Sequence, residues 1–152
     1  MAFNEVDMIN AIAAQEAAII GVKASYGFAQ NPDSITIGML PCVLHYPPLF
    51  TSEPRAFHNV WKNVITVTSI LFVTTRQGAG GKLRFIENAA MPFGQLWRAR
   101  FQTDSVVSGL LASVSAVTCF LKEGRYGVGG QDLNFGGEDF VGWTFSFQAI
   151  NA

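Results

Sequence analysis

Charge is scarce in this chain. Of its 152 residues only 14% are Asp, Glu, Lys or Arg, against about 25% in an ordinary globular domain. With 49% hydrophobic residues, intrinsic disorder is excluded, and so thinly charged a surface is expected to meet other protein. Ten basic residues against eleven acidic ones leave a net charge of −1, which argues against a nucleic-acid binder held by counterion release. Cysteine is scarce too. Cys42 and Cys119 sit in separate apolar stretches of a chain too large to need staples, so both read as buried free thiols. The longest uncharged run that could tempt a membrane assignment, Ser105 to Leu121, has 17 residues and includes four Ser, Thr118 and Gly109, which makes a poor membrane span. Glu5 and Asp7 precede any Lys or Arg, so no secretory n-region is expected and synthesis in the cytoplasm is.

The motifs that carry chemistry are missing as well. A phosphate-cradling loop needs a glycine five residues before Gly81-Lys82 and a hydroxyl after it; Arg76 and Leu83 stand there instead. Leu83 and Asp132 occupy the third-glycine positions that would complete dinucleotide fingerprints after Gly78/Gly80 and Gly127/Gly129. Only His45 and His58 could supply imidazole, and no His-x-x-x-His or Cys-x-x-Cys spacing offers a metal site. Cys42 and His45, three apart on a strand, are expected on opposite faces. Ser108-Gly109 lacks the flanking glycines of a nucleophile elbow. Asp132, Glu138 and Asp139 put three acids near one loop, a pattern that solvated loops commonly show. No catalytic residue, cofactor or metal is expected.

What is present is periodicity. Residues 4–20 read as a helix, with Val6, Ile9, Ala13, Ala17 and Ile20 on one stripe and Gly21 as its stop. Val22 to Phe28 alternates as a first strand. Ile35 to Tyr46 reads as an edge or interrupted strand because of Pro41, and residues 49–59 as a loop after Pro47-Pro48. Trp61 to Thr75 is β-branched on both faces, which predicts a long strand covered on both sides. Leu83 to Trp97 traces a second helical face, with a kink or break expected near Met91 because of Pro92 and Gly94. A strand over 112–121 follows. Then comes a stretch from Gly124 to Gly137 with six glycines, too long for a tight hairpin turn, and last an alternating strand over 141–149 whose aromatic face (Trp143, Phe145, Phe147) is expected to be core. The fold class is therefore α+β over one domain, residues 1–152: a mainly antiparallel sheet with two helices packed on it. The long strand and the Gly-rich loop would reach to neighbours.

Charge is segmented. Residues 1–54 carry Glu5, Asp7, Glu16, Asp33 and Glu53 against Lys23, residues 55–100 carry seven bases against Glu87, and residues 101–152 carry five acids against Lys122 and Arg125. A basic middle between acidic ends suits head-to-tail contact between copies.

These pieces together resemble the tail terminator, or tail-completion neck protein, of long-tailed bacteriophages. The likeness rests on the opening helix, Pro41-Cys42-Val43-Leu44-His45-Tyr46-Pro47-Pro48, the run Val64 to Val73, the helix around Leu83 to Trp97 and Gly142-Trp143-Thr144-Phe145. It implies a non-enzymatic virion protein, made in the host cytoplasm, that forms a ring, commonly a hexamer, at the head-tail junction. Its partners would be its own copies, the tail tube protein and a head-completion or connector protein. DNA would pass through the channel without specific binding, and no membrane would be involved. The interface residues expected on the combined reading are Arg76, Lys82, Arg84, Arg98 and Arg100 on the basic segment, with Gly127, Gly129, Gly130 and Asp132 on the Gly-rich loop. The alternatives are another neck component, or a small enzyme or binding module.

Overall fold

The computed structural model describes residues 5–54, 61–75, 83–103, 116–122, 133–135 and 138–151. In chain order these form α1 (Glu5–Ala17), β1 (Ala24–Ser25), a 3-10 turn (Ile37–Met39), β2 (Cys42–His45), β3 (Leu49–Pro54), β4 (Trp61–Thr75), α2 (Leu83–Thr103), β5 (Ala116–Lys122), β6 (Leu133–Phe135) and β7 (Glu138–Asn151). The strands form one mixed, mostly antiparallel sheet of order β1-β2-β4-β7-β5, with β3 paired to β4 and β6 to β7. Only β1 and β2 run parallel. The fold is α+β.

The β-branched run that predicts a long strand forms β4, and it organises the molecule. One edge pairs with β7 from Asn63 to Thr75; the other pairs with β3 over Trp61–Thr66 and with β2 over Ser69–Phe72. Because side chains alternate across a strand, β4 feeds two cores. Ile65, Val67, Leu71 and Val73 join Met8, Ile9 and Ile12 of α1, Phe93 and Trp97 of α2, and Trp143, Phe145 and Phe147 of β7. On the opposite face Ile70 and Phe72 pack with Cys42, Leu44, Ile35, Leu40 and Phe140. A bulge between Phe72 and Thr74 leaves Val73 without an opposite residue on β7, which locally strengthens the twist. Double coverage holds over Ser69–Val73; Thr66 and Thr68 are only half-buried.

Several elements depart from expectation. The buried face of α1 is Met8, Ile9, Ile12, Ala13 and Glu16, whereas Val6 and Ile20 are exposed. Burial favours the larger Met8 and Ile12, and the helix ends at Ala17, where turns carry the chain to Gly21 at φ +94°, a conformation glycine adopts without strain. The first strand shrinks to two residues. Its backbone is nonetheless tied at both ends, by Lys23 N–H to the Pro41 carbonyl (2.9 Å) and Tyr26 N–H to the Val43 carbonyl (3.0 Å). The segment 35–46 is interrupted as expected, but β2 is no edge, since β1 and β4 flank it. The expected loop 49–59 contains β3, because the chain resumes pairing along the same edge of β4 once past Pro47-Pro48.

The second helix does not break. α2 runs through Pro92 from Leu83 to Thr103, and Gly94 brings it down onto the sheet: a Cβ there would lie 3.1 Å from Trp143 Cη2. The expected strand 112–121 is β5 from Ala116 on, residues 104–115 lying outside the described ones. Within the Gly-rich stretch, β6 pairs antiparallel with the start of β7, Phe135 opposite Glu138; residues 124–132, 136 and 137 lie outside the described ones. Glu138 and Asp139 therefore open a strand. The aromatic face of β7 is core, with Trp143 4% exposed and Phe145 and Phe147 fully buried.

Candidate functional site

The most chemically loaded place in the fold is buried. Glu16 ends the inward stripe of α1 and is completely inaccessible, in the layer between helices and sheet. A lone carboxylate there would be prohibitively costly, and three donors converge on it. His45 Nε2 lies 2.6 Å from Glu16 Oε1, Trp97 Nε1–H donates to Oε2 at 3.0 Å, and Ser25 Oγ–H reaches Oε1 at 3.5 Å. The indole of Trp97 in turn stacks on Phe145, with centroids 4.6 Å apart and planes 6° apart.

His45 is pinned from four sides. Its Nδ1 lies 2.6 Å from the Tyr26 carbonyl, which can only accept, so Nδ1 carries a hydrogen. Its main-chain N–H donates to Asn31 Oδ1 (3.3 Å), and its carbonyl accepts from Asn31 Nδ2 (2.8 Å), so a side-chain amide substitutes for a strand partner where β1 has ended. Burial alone would push the imidazolium pKa down; the bond to Glu16, the Glu16 charge and the Tyr26 carbonyl outweigh it and raise it above the ordinary 6.5. The arrangement is a buried His–Glu pair, and both ring nitrogens point at partners inside the protein.

Beside it opens a cavity of about 230 Å³ lined by Ile9, Phe28, Asn31, His45, Tyr46 and Pro47 among others. Ligand sites usually measure about 300–1,000 Å³, so this one admits little more than a single large side chain. The His45 side chain is only 2% exposed, so the imidazole cannot take a proton from a ligand there without abandoning Glu16 or Tyr26. The pair therefore acts as a structural pin joining α1, the β1 segment, β2 and α2.

Of the residues expected at an interface, only Arg98 and Arg100 have described side chains. Arg98 is exposed on α2, its Nε–H donating to the Gly94 carbonyl one turn back at 3.3 Å. Arg100 is half-buried and bonds Gln15 of α1 within the same chain, so its guanidinium braces the two helices. Arg84 lies in α2, its side chain outside the described ones; Arg76, Lys82, Gly127, Gly129, Gly130 and Asp132 lie outside the described residues. Cys42 and His45 do face opposite sides of β2, with Cys42 in the second core and its thiol pushed up to about 11 by burial. A Cys42–His45 catalytic pair is thereby ruled out.

Glu16 is the residue that reading the sequence overlooks. Its signal was the spacing Ile9, Ile12, Ala13, Glu16, an i, i+3, i+4, i+7 series that places an acid on the apolar face and demands a buried donor.

Outside this cluster, the prominent surface feature is apolar. Every residue of β3 is exposed; Leu49 is 70% and Phe50 47% accessible, with Tyr46 at 56% just before them. Among the described residues no three His, Cys, Asp or Glu converge as a metal site, and no helix is long and apolar enough to cross a membrane. No protein-family model matches the chain, and no curated protein matches it significantly.

Proposed function

We propose that the protein is a structural subunit of a homo-oligomeric ring in a virion, placed at the head-tail junction of a long-tailed phage, where it caps the tail tube and docks the head-completion complex. The observation that carries this reading is β3. Its six residues lie along the far end of β4, solvent-exposed on both faces, and its first two are Leu and Phe. Two exposed large apolar side chains at the head of a strand edge that no described strand pairs suit cover by another chain, and a closed ring covers them in every subunit. The position in the particle rests on the resemblance of the element order to tail terminators. Its low charge and the exposed Arg98 on the helix layer suit packing between protein rings.

Light scattering across a range of protein concentrations, with and without purified tail tubes, tests this. Rings of defined number, formed alone or on tube ends, are expected. A monomer that also leaves tube ends bare overturns the reading.

A further inference from the structure

We propose that the seam between neighbouring subunits is a strand-to-strand contact in which β3 of one copy receives β5 of the next in antiparallel sense. This rests on the ring reading above and adds to it the two surfaces that meet.

The basis is the register of the sheet. Three rows of paired residues run without a break across four strands: Leu49–Thr66–Gln148–Thr118, Phe50–Ile65–Ala149–Val117 and Thr51–Val64–Ile150–Ala116. β3, β4, β7 and β5 thus form one antiparallel block. Among the described strands β3 pairs only with β4 and β5 only with β7, so these two bound the block, at the same level of the sheet. Each step across the block reverses direction, so β3 and β5 run opposite ways. A second copy moved head-to-tail sideways therefore presents β5 antiparallel to β3, and the alternation continues through the contact.

The two strands also match in length, six residues against seven. Pro48 precedes β3 and Pro54 ends it. Proline brings no N–H to a ladder, so the receiving window is Leu49–Glu53, and the prolines limit register slippage. Such strand addition draws affinity from main-chain hydrogen bonds and specificity from alternate side chains. Here Leu49 and Phe50, the most exposed apolar residues of β3, would be covered from the side. Two different strands meet, so the contact is heterologous and generates a ring when the rotation closes.

Continuing the rows sets Thr51 opposite Ala116 of the next copy. Directly opposed antiparallel residues have Cα atoms about 4.5–5.5 Å apart, within disulfide range. In full-length protein carrying Cys119→Ser, with buried Cys42 retained, Thr51→Cys and Ala116→Cys variants are made separately, mixed and mildly oxidised. The expected result is a cross-linked dimer in the mixture and none in either variant alone; both substitutions in one chain should give a ladder ending at the ring number. Cross-linking of Thr51→Cys alone indicates a symmetric β3–β3 contact and overturns the seam. Rings seen by light scattering with no cross-link in the mixture also overturn the seam while leaving the ring reading standing. A monomer with or without tail tubes overturns both.

Discussion

Glu16 Oε1 and His45 Nε2 stand 2.6 Å apart with neither side chain more than 2% exposed, so a helix and a strand are joined through a shared proton inside the core. Removing one member of a buried pair leaves the other uncompensated, at about 3–5 kcal/mol. Glu16→Ala, which also strands Trp97 Nε1–H, should lower stability by that amount in urea titrations.

The same pair makes stability depend on pH in a definite direction. His45 binds its proton more tightly folded than unfolded, so its contribution is complete below the ordinary value of 6.5 and is lost as pH rises through the raised folded value. Melting curves of the wild type and Glu16→Gln at stepped pH should show the wild-type advantage narrowing on the alkaline side. An advantage that grows with pH would mean the proton is not where the geometry puts it.

Gly94 sits where α2 touches β7. An added Cβ would meet Trp143 Cη2 at 3.1 Å and Cζ2 at 3.2 Å, and Trp143 has little room to yield because it stacks against Phe145 at 5.9 Å and 13°. Alanine gains about 1 kcal/mol in helix propensity, whereas overpacking costs about 1–3 kcal/mol. Gly94→Ala is therefore expected to lose roughly 1 kcal/mol net. Gly38→Ala, where a Cβ would meet nothing within 4 Å, serves as the neutral control.

Cys42 is fully buried and its thiol is pushed up to about 11, so little thiolate exists near neutrality. In a Cys119→Ser background a thiol reagent should modify it only as the protein unfolds. The denaturant midpoint for labelling should coincide with that for tryptophan fluorescence.

Core and contact surface are separable by two substitutions. Trp143→Ala should cost about 3–5 kcal/mol through the cavity it leaves. Arg98→Glu, on an exposed position, should change stability by no more than about 0.5 kcal/mol while reducing assembly measured by light scattering. The opposite pattern would exchange the roles of the two residues.

Long, strongly patterned segments were legible from sequence because burial there is set by the chain's own periodicity. β4 occupies the residues its β-branched run marks out, Trp61–Thr75, and the alternation of Trp143, Phe145 and Phe147 identifies the face of β7 that is core. Where sequence reading went astray, tertiary packing decided the outcome. Pro92 suggests a kink or a break; the helix does not break, because Phe93, Gly94 and Trp97 seat α2 on the sheet. Leu49–Pro54 looks like a loop after two prolines, yet the free edge of β4 supplies a pairing partner. The site was least legible, since Glu16, His45 and Trp97 are distant in sequence and each alone is unremarkable.

That distance has a consequence for how the chain is made. Glu16 and Trp97 are 81 positions apart, and Gln15 meets Arg100 from 85 positions away. The contacts that close over the C-terminal turn of α1 thus form only once α2 is in place, whereas its other inward side chains also pack on β2, β4 and β7. A product truncated before Trp97 would therefore leave Glu16 without its indole donor and Gln15 without Arg100.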